Sequence, residues 1–429
     1  MTRPFDIKAN SAGTPRRALR SHARVRWVVC TLLSALLAAR WVVAEDASSA
    51  AGQVAFEVVE EAGIHRDASP VHALVQLPRP VTAGTPMRLL LEGKPVVAQF
   101  RMHGKGDTAR RWWIDFLARS RPHETRRYVV EYGPETQSVP ERKGGHALRV
   151  KDDAYVVSNE PYIDWVVPRD LLGLLRSVDF PPAEHLRSGS RGLRVRDRNG
   201  GIHALGGTGT TAEVVREGRM TVALRFQKTE MGEALRGVKW RVDLVFPGPV
   251  SWVDVRVRIA DPEERIAAVG LQLRLNLDPP TGAQRTLVEL GAARTVYRSL
   301  FGNQFVELRA DRQQPSPWQV LRGVAGNVQP FMVAAEGAPA AAGWAHIMDR
   351  KRCLAIAFDR FGEQGEERLG LAADGRLSAW KQFPTARQDP PAFTRRWRCW
   401  LHFVHFPPQQ SASTDPYMMQ HPLIVKGAQ

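Results

Sequence analysis

Apolar side chains recur at every second position through much of this chain. "SWVDVRVRIAD" places Val253, Val255, Val257 and Ile259 on one face and Asp254, Arg256 and Arg258 on the other. "GLQLRLNLD" repeats the pattern with Leu271, Leu273, Leu275 and Leu277 against Gln272, Arg274 and Asn276. "MTVALRFQK" alternates Met220, Val222, Leu224 and Phe226 with polar or small residues, and "VHALVQLP" does so with Val71, Ala73, Val75 and Leu77. Successive side chains of a strand point to opposite faces, so a period of two predicts antiparallel strands with one buried face.

Turn residues punctuate these runs at Gly93-Lys94, Asn199-Gly200-Gly201, Glu217-Gly218 and Phe246-Pro247-Gly248-Pro249. Beyond residue 44 no stretch keeps a helical period for more than two or three turns. "DLLGLLRSV" comes nearest, and Gly173 weakens it. The expected fold class is therefore all-β: a small β-barrel followed by a large antiparallel β-sandwich, supersandwich-like in extent.

One boundary is legible. "YGPETQSVPERKGGHALRV" gathers two prolines, three glycines and charges between strand-like segments. It predicts a linker over 134–146, with the barrel at 53–133 and the sandwich at 147–407. Residues 408–429, rich in Pro and Gln, are expected to form an irregular surface tail.

The amino terminus has a different character. Arg16, Arg17, Arg20, Arg24 and Arg26 lead into an apolar run from Trp27 to Ala39, and Val42-Val43-Ala44 precedes Glu45. This is the layout of a secretory signal peptide over 1–44, cleaved after Ala44, with a retained signal anchor as the alternative. The expected location is periplasmic or secreted, with no stable membrane insertion once the signal is removed. The signal also inflates the charge. The whole chain has a formal net charge of +16, and residues 1–44 hold eight basic residues and one acid. The remaining basic residues are scattered among acids, which gives no support to nucleic-acid binding. A mildly basic surface is compatible with an acidic polysaccharide or oligosaccharide partner.

Of three cysteines, only Cys353 and Cys399 lie beyond the signal. In an oxidising compartment such a pair reads as a disulfide; two buried thiols are the alternative.

A family resemblance rests on order and pattern. A signal-like segment precedes "ASPVHALVQLPRPV", "PVVAQFR" and "RRWWIDFLARS", and then comes "VKWRVDLVFPGPVSWVDVRVRIADPEERIAAVGLQLRLNL". Over about residues 53–407 this resembles the amino-terminal part of the exo-rhamnogalacturonan lyase (YetA-like) family. The resemblance implies a RIFT-type barrel and a central β-sandwich without the family's helical toroid. It carries over no catalytic residue.

The candidate chemistry centres on two Trp-x-His pairs, Trp344/His346 and Trp400/His402. Residues two apart share a strand face, so each pair sets an indole beside an imidazole. Indoles stack on sugar rings and imidazole moves protons, although a buried Trp with a satisfied His explains the same pattern. With Arg396 and Arg398 nearby, the expected carbohydrate-binding set is Trp344, His346, Trp400, His402, Arg396 and Arg398. "SNEPYIDWVVP" adds Tyr162 beside Asn159, Glu160 and Asp164. Were the protein a lyase, Tyr162, His346 and His402 are the candidate bases. His402 and His405 fall on opposite strand faces, so no metal site is expected. "LGGTGTT" lacks a P-loop lysine, and no cofactor is implied.

The expected function is an exported polysaccharide-binding or accessory protein related to polysaccharide lyases. The alternatives are a complete lyase or sugar-modifying enzyme acting through the sandwich face, and a structural envelope protein without a small ligand.

Overall fold

The computed structural model describes residues 51–139, 144–181, 183–278, 285–324, 327–384, 394–404 and 414–428. The expected signal peptide lies outside them. The regular structure of the described residues is almost entirely strand, arranged in antiparallel sheets of five, three, five, eight and nine strands. No helix among them is long and apolar enough to cross a membrane.

The period of two is realised as burial. Val253, Val255, Val257 and Ile259 are inside, as are Leu271, Leu273, Leu275 and Leu277. So are Val71, Ala73, Val75 and Leu77, and Met220, Val222, Leu224 and Phe226. The first seven strands, between Gly52 and Tyr132, together with Ile424–Lys426 form the first five-stranded sheet and the three-stranded sheet, which share a core around Phe56, Val75, Trp112, Phe116 and Tyr128. A larger core joins the eight- and nine-stranded sheets and the second five-stranded sheet, from Ala147–Val150 to Ala183–Glu184.

The Thr108–Ser120 strand shows how the two cores meet. Trp112, Ile114 and Phe116 point into the amino-terminal core. On the opposite face, Asp115 is fully buried and accepts from the Arg216 guanidinium (2.5 Å), with His72 Nδ1 at 2.6 Å. Burial alone would raise the Asp115 pKa, but Arg216 and His72 outweigh it and hold the carboxyl low. Arg216 also lies over the Trp113 ring at 4.6 Å. Gln99 completes the junction, accepting from the Met220 and Thr221 amides at 3.0 and 3.2 Å.

The nine-stranded sheet positions the candidate site. The Thr394–Val404 strand is inserted between Trp252–Ala260 and Cys353–Phe358, followed by Trp344–Met348. The register is direct: Trp344 and Trp400 both lie opposite Ala357, and His346 and His402 both lie opposite Ala355. All four residues therefore share one face.

Two sequence expectations need correction. Cys353 and Cys399 are free, buried thiols, not a disulfide. They sit on adjacent strands, but Cys353 is opposite Val404 whereas Cys399 is opposite Phe358. That offset is about 17 Å along the ladder at ~3.4 Å per residue, and its odd count puts the thiols on opposite faces, well beyond bridging distance. The tail also has regular structure. Thr414–Gln420 is helical, and Ile424–Lys426 pairs with the first strand, Gly52–Val59. Asp415-Pro416 at the helix start is a combination that favours a first turn.

Candidate functional site

The tail helix closes the Trp-x-His face. Met419 packs with Trp344, Ala355, Ala357 and Trp400, with Trp252 alongside. Gln420 anchors the helix end by donating to the carbonyls of Ala342 (2.6 Å), Phe358 (2.9 Å) and Gly343 (3.2 Å). The buried Arg66 donates to the His421 carbonyl at 2.5 Å and to Glu60 at 3.2 Å. Trp344 and Trp400 are consequently 4% and 3% exposed. They are core residues of a covered face, and the open sugar platform expected there is absent. His346 is buried beside Trp344, with its Nδ1 3.1 Å from Glu289 Oε2.

His402 has a different outlook. It lies at the edge of the covered face, where a cleft of about 920 Å³ opens. Six further stretches of chain converge there: His65–Ser69, Gly144–Gly145, Asn159–Ile163, Phe180, Pro249–Trp252 and the start of the tail helix at Asp415 and Met418. Gly145, at φ +115°, passes so close to the Arg219 carbonyl that a Cβ would sit 2.4 Å from it, so only glycine fits that approach. Tyr162 projects into solvent, 63% exposed, at the cleft wall. Of the three candidate bases, Tyr162 and His402 thus share one cleft, and His346 does not line it.

Within the cleft, His402 Nε2 is 2.9 Å from Ser251 Oγ, and His402 Nδ1 is 3.5 Å from Asp415 Oδ2. Trp252 meets the imidazole edge-on at 5.6 Å. Burial pushes the His402 pKa down to about 4, against a smaller upward pull from Asp415 and with a further push from His346. The imidazole is therefore neutral at pH 7, with one ring nitrogen able to accept a proton. Ser251 and Asp415 were not singled out from sequence: a serine just after a Pro-Gly-Pro turn carries no motif, and Asp415 lies thirteen positions after His402, beyond the end of its strand.

Arg396 and Arg398 belong elsewhere. They extend along the same strand face toward its other end and line a second cleft, of about 410 Å³, with Arg256, Arg258, Arg360 and Lys381. Arg398 lies 4.3 Å over the Trp400 ring and donates to Asp254 at 2.9 and 2.8 Å. Arg256 binds the same carboxylate at 2.6 Å. Burial would raise the Asp254 pKa, but the two guanidiniums hold it far below the usual carboxylate range. Arg258 and Arg396 are direct cross-strand partners, and neither has a carboxylate within ion-pair distance among the described residues.

No protein-family model matches the chain. No curated protein matches its sequence. Solved structures do match its fold. A protein in glycosyl hydrolase family 38 from Enterococcus faecalis superimposes with a TM-score of 0.51 at 10% identity, over 87% of this chain and 47% of that one. An alpha-mannosidase from Enterococcus faecalis V583 gives 0.50 at 10% identity, over 87% and 46%. At this identity the likeness shows the fold alone, and the chain spans under half the length of either structure. It nevertheless overturns the resemblance to the exo-rhamnogalacturonan lyase family, and the lyase reading falls with it. The physical reason is that alternating strands and Gly/Pro turns are common to two-sheet β architectures, so their order could not single out one family.

Proposed function

We propose that the protein is an exported carbohydrate-binding protein, periplasmic or secreted, whose ligand lies in the cleft between Tyr162 and His402. The observation that carries this is an exposed tyrosine in a roomy cleft lined by both apolar and hydrogen-bonding side chains. Tyr162 and the half-buried Trp252 offer aromatic faces, and His65, Asp67, Asn159 and Glu160 offer donors and acceptors. Aromatic surface beside carboxylates and amides suits a ring with one apolar face and a rim of hydroxyls. The glycosidase names of the structural neighbours support a sugar ligand at the level of fold.

The carboxylates of Asp67, Glu160 and Asp415 favour a neutral sugar in this cleft. The acidic glycan expected from sequence suits the second cleft instead, where Arg258 and Arg396 stand side by side. A glycan array on residues 45–429, followed by calorimetry, tests the reading. Tyr162→Ala is expected to lower affinity tenfold or more with the melting temperature unchanged, because an exposed ring contributes little to folding. Unchanged affinity in that variant would remove Tyr162 from the site. Export is checked by amino-terminal sequencing of protein from envelope fractions, expected to begin near Glu45.

A further inference from the structure

We propose that Ser251, His402 and Asp415 form a nucleophile, a general base and an orienting carboxylate that hydrolyse carboxylic esters at the large cleft. The substrate class, an O-acylated carbohydrate, rests on the carbohydrate reading above; the nucleophile itself does not.

The geometry has the three relations that activated serines require: hydroxyl to imidazole, imidazole to carboxylate, and access from a cavity. Ser251 Oγ to His402 Nε2 is a hydrogen bond of 2.9 Å. The other ring nitrogen, Nδ1, is buried and has no hydrogen-bond partner among the described residues, where Asp415 Oδ2 at 3.5 Å is the carboxylate within ion-pair distance of it. That distance is long for a hydrogen bond and short enough to favour the imidazolium that forms during reaction. All three residues line the same cleft.

The backbone fixes the arrangement. Ser251 immediately precedes the Trp252–Ala260 strand, and Trp252 is in register with His402. The Phe403 amide donates to the Ser251 carbonyl at 3.1 Å, so the serine is tied to the strand that carries its base. The titratable groups acting on His402 are Asp415 and His346, and burial dominates both. A neutral imidazole at pH 7 is the form that accepts a proton from serine. Asn159, a side-chain amide in the same cleft, already donates to the Pro249 carbonyl at 3.4 Å and has a second N–H to offer a developing oxyanion.

The reaction balances with water as the only co-reactant. Ser251 Oγ bonds to the ester carbonyl carbon while its proton passes to His402 Nε2. The C–O bond to the sugar then breaks, and the departing hydroxyl takes the proton from His402. Water, deprotonated by His402, adds to the acyl-serine. Collapse returns the proton to Ser251 and releases the carboxylic acid.

A fluorophosphonate probe tests the serine without any sugar. Peptide mass spectrometry is expected to find a single adduct on Ser251, absent after heating and absent in Ser251→Ala. His402→Gln is expected to slow labelling and p-nitrophenyl acetate hydrolysis by roughly 10²-fold or more. Because His402 is buried, its melting temperature is compared with wild type, and Ser251→Ala carries the test if His402→Gln unfolds. Asp415→Asn is expected to lower the rate and to move the acidic limb of its pH profile to lower pH, since the carboxylate raises the His402 pKa. A merely structural aspartate would not move that limb. No adduct under conditions that fully label a control serine hydrolase, with hydrolysis no faster than in Ser251→Ala, would overturn the proposal. Labelling without sugar binding would leave the esterase standing and remove the carbohydrate reading. Sugar binding without labelling would do the reverse.

Discussion

Trp344 and Trp400 flank Ala357 on one face of the nine-stranded sheet, and the tail helix seals both from solvent. Alanine at the central position makes room for two indoles on neighbouring strands. Met419 fills the space above them. The pair is a small third core outside the sandwich interior, built only when the last fifteen described residues fold back.

Trp344→Ala and Trp400→Ala should each therefore cost about 3–5 kcal/mol, the usual range for truncating a buried aromatic. Chemical denaturation reads this directly. Glycan affinity of the folded fraction should be unchanged in both. A stable Trp400→Ala protein with lost binding would show that the face opens in solution.

The two cysteines give a second test. Thiol titration of unfolded, unreduced residues 45–429 should find two free thiols per chain, because the register keeps Cys353 and Cys399 apart. In the native state both should react slowly, since burial raises each thiol well above its ordinary pKa and excludes reagent. Finding no free thiol in the unfolded chain would mean that the strand register is wrong.

Glu367 predicts a pH dependence. It is fully buried, accepts from Trp397 Nε1 (3.1 Å) and the Gly362 amide (2.6 Å), and has Lys381 at 3.8 Å. Burial outweighs these partners and raises its pKa from 4.5 to about 7. Between those values the native state binds the proton more tightly than the unfolded chain. Its contribution is thus fully present below about pH 4.5 and is lost as pH rises to 7, by about 3 kcal/mol in total. Glu367→Gln should flatten that part of the stability–pH curve. An unchanged slope in the variant would assign it to other groups.

Arg258 and Arg396 face each other as like charges on adjacent strands, an arrangement that costs stability unless an anion bridges them. Arg396→Gln should raise stability by up to about 1 kcal/mol at low salt, with the gain vanishing at high salt as screening takes over. It should also remove any rise in melting temperature that sulfate produces beyond an equal ionic strength of chloride. A destabilised Arg396→Gln would show that the guanidinium is held by a contact other than the repulsive pair.

The alternation of apolar and polar residues by itself determined the all-β class and most buried faces. The inward set of Val253, Val255, Val257 and Ile259 needs no knowledge of a partner strand, because the period of a strand is a local property. The same rule correctly placed Trp344 with His346 and Trp400 with His402 on shared faces. It could not say whether that face was open. That was decided by Thr414–Gln420, a short helix held by the apolar surface it covers and by the carbonyls that Gln420 reaches. Nor could local pattern join Ser251 to His402, 151 residues later, or His402 to Asp415. The first distance follows from the insertion of Thr394–Val404 beside Trp252–Ala260, a pairing chosen by the packing of the whole sheet, and the second from the docking of the tail helix. A strand's inner face is written along the chain, but what stands beside it and what covers it depend on long-range contacts that no short window contains.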